Sequence, residues 1–166
     1  MIQRIMSEEP INHWWFLDIK NKIVLDLGCG KFYSSISTAE YFVNNGASKV
    51  IGIDLGTEII DDDTFIYHTL NIDSTQKIKG LIETYKPHII KIDIEGAEKY
   101  FDGISQTDLG RVDEIAIEYH SNQLKLGFEL KLIEWGFKIV NTYGLFNESI
   151  DRIGVIHAKK EINGNN

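Results

Sequence analysis

Five residues in two short stretches have the types and spacing to move a proton or to hold a cation. Asp93, Glu95 and Glu98 follow the run His88-Ile89-Ile90-Lys91-Ile92, and Glu118 and His120 close a second apolar run over 112–119. If both runs are parallel strands, their ends place these groups over one crevice. An imidazole titrates near neutrality, so His120 is the natural base for a hydroxyl that must lose a proton. Asp93 would hold that hydroxyl or orient His120. The set Asp93, Glu118 and His120 could instead take Mg²⁺ or a similar ion, although no ligand spacing enforces it, and the metal is the less favoured reading. Plainer roles stand beside these. Glu95 would support the turn, Glu98 would sit solvated on a helix starting near Gly96, and a lone histidine is as often a packed or surface residue.

A second constellation lies nearer the N-terminus. The run Ile23-Val24-Leu25-Asp26-Leu27 enters Gly28-Cys29-Gly30, and a helix is expected from near Ser34. The next apolar run, Lys49-Val50-Ile51-Gly52-Ile53, ends in Asp54. A glycine turn followed by an acid after the next strand is how an α/β sheet holds an adenosine-bearing cofactor. Gly28 and Gly30 allow close backbone approach, and a helix N-terminus offers N–H groups to a carboxylate. Asp54 could accept both ribose hydroxyls, with Leu55 against the adenine. A dinucleotide loop would want glycine at position 33, where Tyr33 would crowd a pyrophosphate. The cofactor is therefore read as S-adenosylmethionine rather than NAD. Cys29 is read as a small packed residue beside it.

Strands are expected at 22–27, 49–54, 65–70, 88–93, 112–119, 137–142 and 152–158. Helices are expected between them: Ser34 to Asn45, burying Ile36, Ala39 and Val43; 75–86, with Ile78, Leu81, Ile82 and Tyr85 on one face; and Asn122 to Trp135, burying Leu126, Leu130 and Ile133. Gly46, Pro87 and Gly136 end them. The runs at 88–93 and 112–119 suit central parallel strands covered on both faces. The loop joining the last two strands has no room for a crossover helix, so they should pair antiparallel. Residues 11–19 read as a short helix that covers one edge of the core or roofs the cofactor cleft. The predicted fold is α/β: a Rossmann-like, seven-stranded, mostly parallel sheet with helices on both faces and a C-terminal antiparallel hairpin.

The 166 residues suit a single domain over 1–166, with 1–20 as a helical lead-in and 160–166 as a flexible tail. A formal net charge of −8 gives no long-range attraction to nucleic acid or anionic membrane. No apolar run reaches membrane-spanning length, and acids occupy the place of a signal peptide's apolar stretch. One cysteine rules out an intramolecular disulfide. A cytoplasmic protein is expected, and a homo-oligomer is left open.

The strand order, the hairpin and the Asp26-x-Gly28-x-Gly30 turn resemble the class I SAM-dependent methyltransferase superfamily over almost the whole chain. Within it, Lys91-Ile92-Asp93-Ile94-Glu95-Gly96-Ala97-Glu98 resembles the signature of the FkbM-type methyltransferases, and Ile117-Glu118-Tyr119-His120 their next strand end. The resemblance implies that Asp26, Gly28, Cys29 and Gly30 form the cofactor loop and that Asp93 faces the transferred methyl group. It also implies that Asp73 hydrogen-bonds the adenine amino group; the same residue could equally cap the helix at 75–86. The expected reaction is methyl transfer to oxygen of a small molecule or sugar, with Asp93, His120 and Glu118 at the reacting end. Two alternatives stay open: a SAM-binding, catalytically silent partner subunit, and, less favoured, an NAD-dependent oxidoreductase.

Overall fold

In the computed structural model, which describes residues 14–30, 37–55, 60–61, 63–145 and 152–161, the strands with the most continuous apolar character occupy the middle of one sheet. β1 (Ile23–Leu27) lies between β2 (Lys49–Asp54) and β5 (Ile89–Ile92), parallel to both. Helices cover both faces of these strands, so neither face can be polar without a partner. β4 (Phe65–Thr69) pairs parallel with β2, and β6 (Glu114–Tyr119) pairs parallel with β5. β7 (Phe137–Gly144) and β8 (Gly154–Lys160) form the antiparallel hairpin, and β8 is inserted beside β6. The expected seven strands are all present. The sheet has an eighth, β3 (Ile60–Asp61), antiparallel to β4 at the edge, giving the order β3-β4-β2-β1-β5-β6-β8-β7. Two residues are too few to show an alternation pattern, so nothing in the sequence marks it.

Among the described residues three α-helices and a short 3-10 helix, Glu98–Gly103, near the Gly96 start expected, complete the two layers. α1 (Thr38–Asn44) begins after Ser37, whose hydroxyl accepts the Glu40 N–H, later than the Ser34 start expected. It buries Ala39 and Phe42, leaving Val43 half-buried; Ile36 and Tyr33 lie outside the described residues. α2 (Thr75–Tyr85) buries Ile78, Leu81 and Ile82 as expected, and Lys86 closes it in the left-handed region before Pro87.

α3 (Asn122–Glu134) corrects the sequence reading. Leu126, Leu130 and Ile133 face solvent, while Phe128, Leu132 and then Trp135 face the sheet. The helix carries apolar residues around nearly its whole circumference, so periodicity alone could not choose a face. The larger aromatic groups bury more area and occupy the inside. Trp14 stands in a 3-10 helical turn and residues 15–17 follow as a turn, closed by Leu17 N–H donating to Trp14 O; residues 11–13 of the expected helix lie outside the described residues. Trp14, Leu17 and Ile19 join the core on the α1 face of the sheet and line no part of the cleft described below. Among the described residues no helix is long and apolar enough to cross a membrane.

Side-chain alternation puts Asp26, Lys91 and His157 on that same face, in adjacent register with Ala116 between the last two. His157 Nε2 lies 2.6 Å from Glu114 Oε1, and both side chains are buried. Lys159 Nζ stands 3.5 Å from the same carboxylate, and Asp18 N–H donates to its other oxygen. Burial opposes the Glu114 charge, but the His157 hydrogen bond, with the charge of Lys159 nearby, outweighs it and holds the carboxyl below its usual range. Glu114 therefore contributes stability above its unfolded pKa, and this is lost as pH falls through the lowered folded value. His157→Ala would leave the carboxylate buried with only Lys159 and the long Asp18 N–H contact. The expected cost is about 2 kcal/mol at neutral pH, read from the urea midpoint.

Candidate active site

The two glycines after β1 take the backbone where a side chain could not follow. Gly28 and Gly30 have φ of 79° and 76°, in the left-handed region. Gly28 and Cys29 N–H groups both donate to Ile53 O at 2.8 and 3.2 Å, folding the turn over the end of β2. Asp54 completes the joint. Its Oδ2 accepts Gly30 N–H at 2.8 Å and its Oδ1 accepts Leu55 N–H at 2.6 Å. Each carboxylate oxygen has two lone pairs, so one on each remains for a ligand's hydroxyls.

A cleft of about 480 Å³ opens at the carboxyl ends of β1, β2, β4 and β5. Gly28, Asp54, Leu55, Asp73, Asp93 and Glu95 are among its lining residues. These six residues singled out from sequence thus meet in one cavity of small-molecule size. Leu55 stands on the rim, an apolar wall 71% exposed. A Cβ at Gly96 would meet no described atom within 4 Å, so the cleft is open there. Asp73, also on the rim, pairs with Lys77 at 2.9 Å, and that hydrogen bond holds its carboxyl below the usual range. It does not cap α2: Ser74 occupies the capping position, without a side-chain capping bond.

Of the expected cofactor loop only Gly28 lines the cleft: Gly30 is joined to it through its N–H to Asp54, and Cys29 and Asp26 are buried away from it. Cys29 is fully buried against Gly52, where a Cβ would come within 2.9 Å of its Sγ. Burial pushes its thiol pKa up, as in an inert packed cysteine. Asp26 is also fully buried, and faces Lys91 Nζ at 3.1 Å with its Oδ1 and accepts from Thr38 Oγ1 at 2.5 Å with its Oδ2. Burial pushes the Asp26 carboxyl up against the pull of these two partners. Burial also opposes the Lys91 charge, but the carboxylates of Asp26 and Asp93 outweigh it and hold its pKa above the ordinary lysine value. Lys91 and Thr38 are the residues that sequence reading missed. The available signal was a single charge of opposite sign inside each of two adjacent apolar strands, which only a pair can make tolerable.

At the other end of the cleft, β5 and β6 bring Asp93, Glu118 and His120 together. Each offers one oxygen or nitrogen, and these atoms all lie within 4.8 Å of one another. His120 Nε2 is 3.3 Å from Glu118 Oε1 and 3.8 Å from Glu95 Oε1. Burial, reinforced by the negative charge of Asp93, pushes the Glu118 carboxyl up to about 8. Near neutral pH it is therefore mostly a carboxylic acid, able to donate to the imidazole or to a ligand oxygen. The three groups are also suitable in kind for a divalent cation, which would displace that proton. Glu95 is exposed beside them, and the Glu98 side chain lies outside the described residues, as does Ser34.

No protein-family model matches this chain, and no curated protein matches it by sequence. Solved structures do match its fold. A candidate hemolysin from Streptococcus thermophilus is 13% identical over 98% of this chain and 69% of its own, with a TM-score of 0.61. A candidate tRNA (m1A22) methyltransferase from Streptococcus pneumoniae, solved with S-adenosyl-L-methionine, is 15% identical over 85% of this chain and 67% of its own, with a TM-score of 0.56. The 1,6-didemethyltoxoflavin-N1-methyltransferase of Burkholderia thailandensis, solved with its substrate and S-adenosylhomocysteine, is 12% identical over 85% and 72%, with a TM-score of 0.52. At these identities the likeness is one of fold. The chain has the Rossmann-like α/β architecture, which it shares with methyltransferases whose structures hold S-adenosylmethionine or its product.

Proposed function

We propose that the protein is a SAM-dependent methyltransferase that acts on an oxygen of a small-molecule or sugar acceptor. One observation carries the reading: the cleft bounded by the glycine turn and Asp54 shares Asp93 with the His120–Glu118 pair, so a cofactor site and an acid–base pair meet at one residue. The residues present fit the cofactor. Asp54 retains lone pairs for ribose hydroxyls, Leu55 supplies an exposed apolar wall for a flat base, and Asp73 stands on the rim within the same cleft. The signature around Asp93 supports an FkbM-type enzyme, and the net charge of −8 favours a small acceptor over a polyanion.

When bound, S-adenosylmethionine supplies an electrophilic methyl group. The chain's own part is to place the acceptor and remove its proton. Asp93 accepts a hydrogen bond from the acceptor hydroxyl, and His120 takes the proton as the oxygen becomes nucleophilic. Much of the remaining rate comes from holding the groups in line.

Calorimetric titration with S-adenosylhomocysteine tests the reading. Wild-type protein is expected to bind near micromolar, about −8 kcal/mol. Asp54→Ala is expected to weaken binding by about tenfold or more, equivalent to about 1.4 kcal/mol or more, while remaining folded, with a thermal midpoint lowered by the loss of its two hydrogen bonds to Gly30 and Leu55 N–H. An absence of binding to the wild type, with or without Mg²⁺, overturns the reading; binding strengthened by Mg²⁺ assigns the Asp93–Glu118–His120 cluster to a metal instead of a base. His120→Ala is expected to leave the S-adenosylhomocysteine affinity unchanged and to lower the transfer rate by about 10²-fold or more on an acceptor found by screening.

A further inference from the structure

The buried ammonium of Lys91 does not line the cleft, yet it touches two residues that do, Gly28 and Asp93. Nζ donates to Gly28 O at 2.5 Å and stands 3.1 Å from Asp26 Oδ1, 3.5 Å from Asp93 Oδ2 and 3.4 Å from Thr38 Oγ1. The Trp14 ring covers it, with its centroid 5.1 Å from Nζ. Asp26 alone would explain a counter-ion. It would not explain why the same ammonium also holds a carbonyl of the glycine turn and the carboxylate after β5. Those two segments are in close contact: a Cβ on Gly28 would fall 1.8 Å from Asp93 O. Asp93 N–H, in turn, donates to Leu27 O at 2.9 Å, immediately before the turn.

We propose that Lys91 is a positioning residue that ties the glycine turn to Asp93, so that the cofactor-binding end and the reacting end of the cleft keep one spacing. A protonated amine is suited to this, because its three donors can serve a carbonyl and two carboxylates at once. A cation over the buried face of Trp14 is also shielded from water, which strengthens each of these contacts. The proposal rests on the methyltransferase reading for the identity of the ligand, but the clamp itself is a property of the free protein.

The test separates the clamp from the simple Asp26–Lys91 pair. Lys91→Met alone strands a buried carboxylate and is expected to lower stability. The double variant Asp26→Asn with Lys91→Met replaces the ion pair with neutral groups of similar shape and is expected to recover most of that loss. Two readouts are then taken on the double variant. Residue-resolved hydrogen exchange in the free protein is expected to show the Gly28 and Asp93 amides opening about tenfold faster than in the wild type. S-adenosylhomocysteine is expected to bind about tenfold more weakly. Unchanged exchange at both amides overturns the proposal, and reduces Lys91 to the counter-ion of Asp26. Faster exchange with no cofactor binding even in the wild type upholds the clamp and overturns the proposed function instead.

Discussion

Gly28→Ala is expected to destabilise the protein by about 4 kcal/mol and to abolish binding of S-adenosylhomocysteine. Two costs combine. The residue sits at φ 79°, where an L side chain costs roughly 1–2 kcal/mol. The added methyl would also lie 1.8 Å from Asp93 O and 2.6 Å from Asp93 C, both main-chain atoms. Neither strand end can move aside cheaply. Gly28 N–H is held by Ile53 O at 2.8 Å, and Asp93 N–H is held by Leu27 O at 2.9 Å. Any relaxation that saves the fold must part β1 from the segment after β5, which opens the floor of the cleft. Gly96→Ala is the matched control. Its φ is 80°, but its Cβ would meet no described atom within 4 Å, so only the conformational cost of about 1–2 kcal/mol remains. Urea unfolding of the two variants measures the difference. Equal losses would show that the approach of Gly28 to Asp93 carries no energy.

Glu118→Gln is expected to stabilise the protein at alkaline pH and to leave it unchanged near pH 5. The Glu118 carboxyl is held up at about 8, by burial first and the Asp93 charge second, against 4.5 in the unfolded chain. The folded state therefore holds this proton more tightly than the unfolded state. Its contribution to stability is present in full below pH 4.5 and is lost as pH rises through about 8. Glutamine has nearly the same shape and no proton to lose, so the loss disappears. With each pKa unit worth about 1.4 kcal/mol, the gap between variant and wild type is expected to grow to on the order of 5 kcal/mol by about pH 9. Urea midpoints at acid, neutral and alkaline pH measure it. A gap independent of pH would show that Glu118 titrates as an ordinary exposed acid. The same proton bears on function, since a carboxylic acid beside His120 donates where a carboxylate could only accept.

Much of the fold was legible in the chain itself. The alternation of apolar strands with amphipathic helices, the stops at Pro87 and Gly136, and the short link before the last strand all act within a few residues. Local pattern is therefore enough to read them. The cleft was legible for the same reason. Gly28, Gly30 and Asp54 end two strands whose parallel pairing follows from their continuous apolar character, and parallel pairing brings their ends together. Asp93, Glu118 and His120 followed by the same rule from β5 and β6.

What sequence left undecided depends on contacts between residues far apart in the chain. The inward face of α3 was chosen by Phe128 and Trp135 against leucines of equal periodicity, through the shape of the sheet beneath. The pairs Asp26–Lys91 and Glu114–His157 span 65 and 43 residues and exist because strand register sets their side chains side by side on one face. Lys91 looked like an interruption in an apolar strand. The tertiary structure made it the point where the glycine turn, the acid after β5 and the first tryptophan meet. By itself the sequence determined which groups could do chemistry and at which strand ends they stand, because those follow from local pattern. Only the tertiary structure decided which charges are buried together and which carboxyl keeps its proton, because burial and Coulomb interaction depend on distance in space.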